Sequence, residues 1–265
     1  MLHWRQGDRW RISAGIIQIK KMKKIDLKVL LPNIITLSGL SFGLSSIRFA
    51  LEEDFNLAIL CILFAGVCDV LDGLLARHLK SESDLGAQLD SLSDFLSFGI
   101  APGILIYMSI FNQESSIGTF ACLIFIIFSC LRLALYNIRL ESSKNPEEGP
   151  ERFFTGIPTP VGAILILLPL THSFMGYYWA YENLNFVAAY IVLISGLLTS
   201  RIPTFSIKRK NLYVKSRLIF FIAISLIVLS LINFLWLSIN ILAFIYLLTI
   251  PFSVFAWNNN LNKSN

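Results

Sequence analysis

The chain has 265 residues, 55% of them hydrophobic and only 15% charged, with a formal net charge of +5 and a mean hydropathy of +0.67. Soluble domains carry about 25% charged residues, so this composition excludes the secreted, fibrous and disordered classes and implies an integral membrane protein. The basic excess calls for no nucleic acid, because membrane proteins gather Lys and Arg in their cytoplasmic loops.

Residues 1–28 hold eight basic residues and no long apolar run, which excludes a secretory signal. Ile16, Ile17 and Ile19 before the run Lys20 to Lys24 read either as a segment lying on an anionic membrane surface or as a basic arm. Met22 reads as an alternative start, which would leave residues 1–21 without a function. A spanning helix needs roughly 20 apolar residues. On that ruler eight spans follow, at about 29–50, 56–76, 87–111, 117–137, 157–174, 184–200, 216–234 and 237–256. The expected fold is therefore an all-α integral membrane protein of about eight transmembrane helices. Cys61, Cys68, Cys122 and Cys130 all fall inside apolar stretches without CxxC spacing, and read as small packing residues.

Loop charge sets the expected orientation. Twenty of the 22 basic residues lie in the terminal segments and the even-numbered loops. Loops 51–55, 112–116, 175–183 and 235–236 contain none, and Glu52, Glu53 and Asp54 make the first of them acidic. Both termini are thus expected in the cytoplasm, with the protein multi-pass in the cytoplasmic (inner) membrane.

Polar residues that interrupt the apolar helices carry the chemistry. Asp69 and Asp72 sit at the cytoplasmic end of the second span, and Asp90 and Asp94 in the first turns of the third. Ionisable side chains there are costly unless paired or solvated, and mark a site by default. Asp69 and Asp72 are i, i+3, about 60° apart around a helix, while Gly86, Asp90 and Asp94 form an i, i+4, i+8 stripe drifting about 40° per step. Two antiparallel helices joined by a short loop would face each other with two carboxylates each. Four bare carboxylates need a compensating cation, and hard oxygen ligands select Mg²⁺, Mn²⁺ or Ca²⁺ over zinc. Two such ions suit phosphoryl chemistry. Gly73, Ala76, Gly86 and Ala87 remove bulk beside the acids, and Arg77 offers a fork of donors to a phosphate.

Asp69-x2-Asp72-Gly73-x2-Ala76-Arg77-x8-Gly86-x3-Asp90-x3-Asp94 resembles the motif of the CDP-alcohol phosphatidyltransferases. Further segments resemble the membrane-embedded bacterial phosphatidylserine synthase branch: Pro32-Asn33-Ile-Ile-Thr36, Asp94 to Gly103, Phe154 to Pro160 and Ser200 to Phe205. The resemblance covers roughly residues 25–210. It implies a catalytic core over 29–205 in six helices, with residues 1–28 as a basic arm and 206–265 as a basic loop plus two C-terminal helices. It implies that Asp69, Asp72, Asp90 and Asp94 bind two divalent cations, Mg²⁺ or Mn²⁺, and that Asp94 is also the general base. Asn33, Thr36, Gly73, Ala76, Arg77, Ser83 and Gly86 would contact CDP-diacylglycerol; Arg132, Asn137 and Arg201 are candidate contacts for serine or phosphate. Leu135 departs from the branch, which more often has a second Arg there.

The implied reaction moves a phosphatidyl group from CDP-diacylglycerol to L-serine at the cytoplasmic face of the bilayer, in an expected homodimer. Two alternatives stay open. One is the same chemistry with inositol phosphate, glycerol 3-phosphate or choline as acceptor; the other is a divalent-cation transporter. A transporter would place acids near the midplane on several helices, often in repeated halves, whereas these acids lie on one hairpin near one end.

Overall fold

The computed structural model describes residues 27–81, 83–111, 115–142, 153–200, 203–205, 225 and 229–264. The basic arm, Met22, Arg201 and most of the expected seventh span lie outside them. Besides the eighth, the first six expected spans are helices at the expected places. They are α1 (Leu27–Leu51), α2 (Phe55–Leu79), a third helical rod made of α3 (Asp84–Asp94), a π-helical turn (Phe95–Ile100) and α4 (Ala101–Ser109), then α5 (Ser116–Ser142), α6 (Thr159–Phe174) and α8 (Leu184–Thr199). The short helix α7 (Trp179–Glu182) lies between α6 and α8, and α9 (Leu235–Ser264) ends the described chain.

Among the described residues four helices are long and apolar enough to cross a membrane: Leu30–Leu51, Phe55–Leu79, Asp84–Ser109 and Ser116–Ile138. The apolar helices Thr159–Phe174, Leu184–Thr199 and Leu235–Pro251 are shorter than such a span. The chain is thus a helical membrane protein.

The expectation of helices alone needs one addition, a two-stranded antiparallel ribbon. Strand β1 (Phe153–Thr155) pairs with β2 (Pro203–Phe205), with Phe154 opposite Thr204. The ribbon ties the segment before α6 to the segment after α8. Gly156 follows β1 at φ +79°, and a Cβ there would lie 2.5 Å from the Leu198 carbonyl oxygen, so this turn requires glycine. Ile157 N–H then donates to Leu197 O at 3.3 Å, holding the turn against the end of α8.

Local signals set the helix ends. Asp54 caps α2, accepting from Leu57 N–H at 3.1 Å. Lys80 closes α2 in the left-handed conformation (φ 51°), with Ser81 N–H bonded to Ala76 O at 3.0 Å. Ser83 then caps α3 by accepting from Gly86 N–H at 3.1 Å. Between two such caps the hairpin turns within four residues. α2 runs to Leu79 and α3 starts at Asp84, each about a turn beyond the sequence expectation.

Most of the core fills the half of the bundle away from this turn. Ala58, Ile59, Ile62 and Ala65 of α2 meet Ala101, Leu105 and Ile106 of the third rod, with Phe125, Leu165, Leu170 and Ile191 completing the cluster. α1 lies along both α2 and the third rod because its small residues allow close approach. At Gly43 a Cβ would collide with Ser97 Oγ and stand 2.7 Å from Leu96 Cδ2. Cys61 and Cys122 are buried and Cys130 is exposed; all four cysteines are free.

Candidate active site

The hairpin brings the aspartates together at two levels. Asp69 and Asp94 are each ten residues from the turn-side ends of their helices, Leu79 and Asp84, which puts both about 15 Å along the axis. Asp72 and Asp90 lie nearer the turn, at about 10 Å by the same rise. Because the helices outrun the expected ends, the acids sit two to three turns inside the hairpin rather than one or two. Asp69, Asp72 and Asp90 each offer a carboxylate oxygen within 4.8 Å of the others. Asp94 stands outside that trio but within hydrogen-bonding reach of Asp69.

α1 supports this cluster from one side. Thr36 Oγ1 donates to Asp72 Oδ2 at 2.6 Å, both residues being 5% exposed. One carboxylate oxygen of Asp72 is thereby fixed. Ser93 Oγ in turn donates to Thr36 O at 3.3 Å, so a single threonine connects α1 to both arms of the hairpin. Asn33, one turn earlier, packs over Gly86: a Cβ there would come within 3.0 Å of Asn33 Oδ1 and 3.1 Å of Ser83 Oγ.

α5 supports it from another side. Asn137 Nδ2 donates to Ser91 Oγ at 3.0 Å, beside Asp90. Arg132 Nε donates to Ile157 O, and Arg132 Nη1 to Thr159 Oγ1, both at 2.6 Å. Its guanidinium lies 5.9 Å from the Tyr136 ring centroid, and its charge acts on Asp94. Arg132 thus joins the acid cluster to the turn after β1. Among the described residues none of the four aspartates pairs with a basic side chain at salt-bridge distance; the ion pair present is Arg48–Glu52, 2.9 Å apart at the far end of α1.

The turn side of α2 is open. Nothing lies within 4 Å of a Cβ built on Gly73, and Arg77 is exposed, its Nε donating to Gly73 O at 2.9 Å. Ala76 is half-buried between them. Gly73 and Arg77 therefore border free space next to the acids, while Ser83 serves the α3 cap. His172 takes no part: its Nδ1 accepts from Trp179 Nε1 at 3.0 Å.

The donor set suits a hard divalent cation. Oxygens about 2.0–2.6 Å from one ion stand roughly 3–5 Å apart, and the Asp69–Asp72–Asp90 separations fall within that limit. Sequence spacing singled out the four acids; it did not single out Ser91 and Ser93, which bond Asn137 and Thr36 beside them. The interleaved Leu89-Asp90-Ser91-Leu92-Ser93-Asp94 was the available signal, since polar residues alternate there inside an apolar helix.

Known proteins are similar to this chain in sequence. Residues 29–200 match the family model of the CDP-alcohol phosphatidyltransferases. The chain is 36% identical over 186 residues to a CDP-diacylglycerol–serine O-phosphatidyltransferase of Mycobacterium leprae, covering 69% of this chain and 60% of that protein. It is 31% identical over 185 residues to the Helicobacter pylori protein of that name, covering 69% and 76%. The Methanocaldococcus jannaschii protein of that name is 37% identical over 152 residues, covering 57% and 63%. The alignment therefore spans about three fifths of the mycobacterial relative's length. With the matched region containing the whole acid hairpin and its supports on α1 and α5, the chain belongs to the CDP-alcohol phosphatidyltransferase family.

Proposed function

We propose that the protein transfers the phosphatidyl group of CDP-diacylglycerol to the hydroxyl of L-serine, giving phosphatidylserine and CMP. The observation that carries this reading is the meeting of Asp69, Asp72 and Asp90 within 4.8 Å, with Asp94 beside Asp69, inside the family-matched region. The relatives named for serine transfer supply the acceptor.

Asp69, Asp72 and Asp90 would hold a divalent cation, and Asp94 with Asp69 would provide for a second; Mg²⁺ or Mn²⁺ fits this all-carboxylate set. Such ions, when bound, offset the negative charge that develops on the pyrophosphate. Thr36 keeps Asp72 in place by its hydrogen bond. Gly73 lets the nucleotide lipid approach the α2 backbone, and Arg77 donates to its phosphates at the open side of the hairpin. Asn33, Ala76, Ser83 and Gly86 border the same substrate.

Asp94 takes the proton of the serine hydroxyl. The serine oxygen then bonds to the phosphorus that bears diacylglycerol, the bond from that phosphorus to the bridging oxygen of the pyrophosphate breaks, and CMP leaves with the electron pair. Holding both substrates in line supplies much of the rate. Arg132 and Asn137 orient the acceptor side, and Arg201 contacts phosphate.

The distribution of Lys and Arg supports a cytoplasmic active site with both termini on that side. The β1–β2 ribbon supports it too, by bringing together two of the basic connections. In this reading the eight spans cross the inner membrane and the enzyme acts as a homodimer, for which mass photometry in detergent or nanodiscs should give twice the monomer mass.

The test is a purified preparation given CDP-diacylglycerol, Mn²⁺ or Mg²⁺, and one acceptor at a time: serine, inositol phosphate, glycerol 3-phosphate or choline. CMP release above the water blank is expected with serine. Release with another alcohol alone would move the protein to a different branch of the family.

A further inference from the structure

Beyond the family-matched region, α9 brings one more polar group to the site. Tyr246 lies midway along α9, packed against the core. Its hydroxyl is buried and has no hydrogen-bond partner among the described residues. α9 packs against α6 and β2, and Arg132 is bonded at Ile157 and Thr159, where α6 begins; Tyr246 and Arg132 also act on each other electrostatically. Arg132 also interacts with Asp94, so it is the residue that the hydroxyl and the base share.

Donor counting shows what this pair can recognise. A guanidinium has five N–H groups; Arg132 directs Nε to Ile157 O and one Nη1 hydrogen to Thr159 Oγ1. Three N–H groups remain without a hydrogen bond among the described residues, on a cation already anchored at both of those bonds. A tyrosine hydroxyl both donates and accepts. Anchored guanidinium hydrogens and a buried O–H supply donors suited to an anionic group with two oxygens, within electrostatic reach of Asp94. A phosphate of the lipid belongs instead at the open Gly73–Arg77 side of the hairpin.

The geometry points to Tyr246 as a specificity-determining residue of the acceptor subsite, its hydroxyl and the Arg132 guanidinium together receiving the carboxylate of an amino-acid acceptor whose hydroxyl faces Asp94. This rests on the serine-transfer reading. It deepens that reading by assigning a substrate contact to a helix that the family match, ending at residue 200, does not include.

Tyr246→Phe tests it while removing only an oxygen that has no protein partner. Losing a hydrogen bond to a charged group predicts a rise of about ten- to a hundredfold in the KM for serine. The KM for CDP-diacylglycerol and the melting temperature in detergent should not move. The preference for serine over ethanolamine, which lacks the carboxylate, should shrink by the same factor in kcat/KM. An unchanged serine KM and unchanged preference in an active preparation would overturn the assignment. So would an effect confined to CDP-diacylglycerol, which would place the hydroxyl against the lipid. If the unaltered protein releases no CMP with serine, the serine-transfer reading fails instead, a result separable from either of these.

Discussion

The α2–α3 hairpin and α9 treat their polar groups differently. In the hairpin most are held by neighbours: Thr36 bonds Asp72, Ser93 bonds Thr36, Asn137 bonds Ser91 and Ser83 caps α3, with Ser81 Oγ at the turn left unpartnered among the described residues. In α9 the Tyr246 hydroxyl and Asn240 Oδ1 are buried without partners, although Asn240 Nδ2 reaches Thr171 Oγ1 at 3.0 Å. Asp72, the buried carboxylate, is fixed from α1, and Ser91 beside Asp90 is fixed from α5. The Tyr246 hydroxyl keeps spare hydrogen-bonding capacity that a ligand could use. Bracing lowers the reorganisation needed when charge builds up in a reaction, whereas spare capacity gives discrimination between substrates.

Breaking the braced side should have the larger effects. Removing divalent cations with EDTA should abolish CMP release, and Mn²⁺ or Mg²⁺ should restore it; activity that survives exhaustive chelation would refute the proposed role of the acid cluster. Asp94→Asn should lower kcat by about 10²–10⁴-fold, the usual contribution of a general base, without changing the melting temperature. Near-normal turnover would remove Asp94 from that role. Thr36→Val takes one donor from a buried carboxylate, and a hydrogen bond to a charged group contributes about 1.5–3 kcal/mol. Manganese titration followed by electron paramagnetic resonance should then show affinity weakened by at least about tenfold.

A pair of glycine substitutions sharpens the contrast at smaller scale. Gly43→Ala drives a methyl into Ser97 and Leu96, and overpacking of this kind costs about 1–3 kcal/mol, so the melting temperature should fall. Gly73→Ala meets nothing; stability should hold while the KM for CDP-diacylglycerol rises. Equal behaviour of the two variants would show that Gly73 does not border the lipid substrate.

Sequence periodicity revealed the helices and the acids for one physical reason. A charged residue in an apolar run is conspicuous, and its spacing along a single helix fixes its direction. Asp69 to Asp94 could be read within 26 residues of chain. The braces could not be read that way, because their partners are distant: Thr36 and Asp72 are 36 positions apart, Asn137 and Ser91 46. Thr36 was legible as a member of a resembling segment, yet its bond to Asp72 depends on how α1 packs. The β1–β2 ribbon was hidden similarly. Its strands are three residues long and their pairing joins positions about 50 residues apart, too short for alternation to register.

The π-helical turn at Phe95–Ile100 has a consequence for how this helix carries two tasks. Ala101 N–H bonds to Leu96 O, five residues back, so this turn holds about one residue more than an α-turn. One residue corresponds to about 100° of rotation. The acid stripe of α3 and the core-facing stripe of α4 are therefore out of phase by that angle, and each can aim at its own neighbours. Deleting a single residue between 95 and 100 would leave the backbone free to hydrogen-bond as an unbroken α-helix. It would also force a choice between aiming Asp90 and Asp94 at α2 and burying Leu105 and Ile106. The extra residue lets one rod serve as both catalytic wall and structural post.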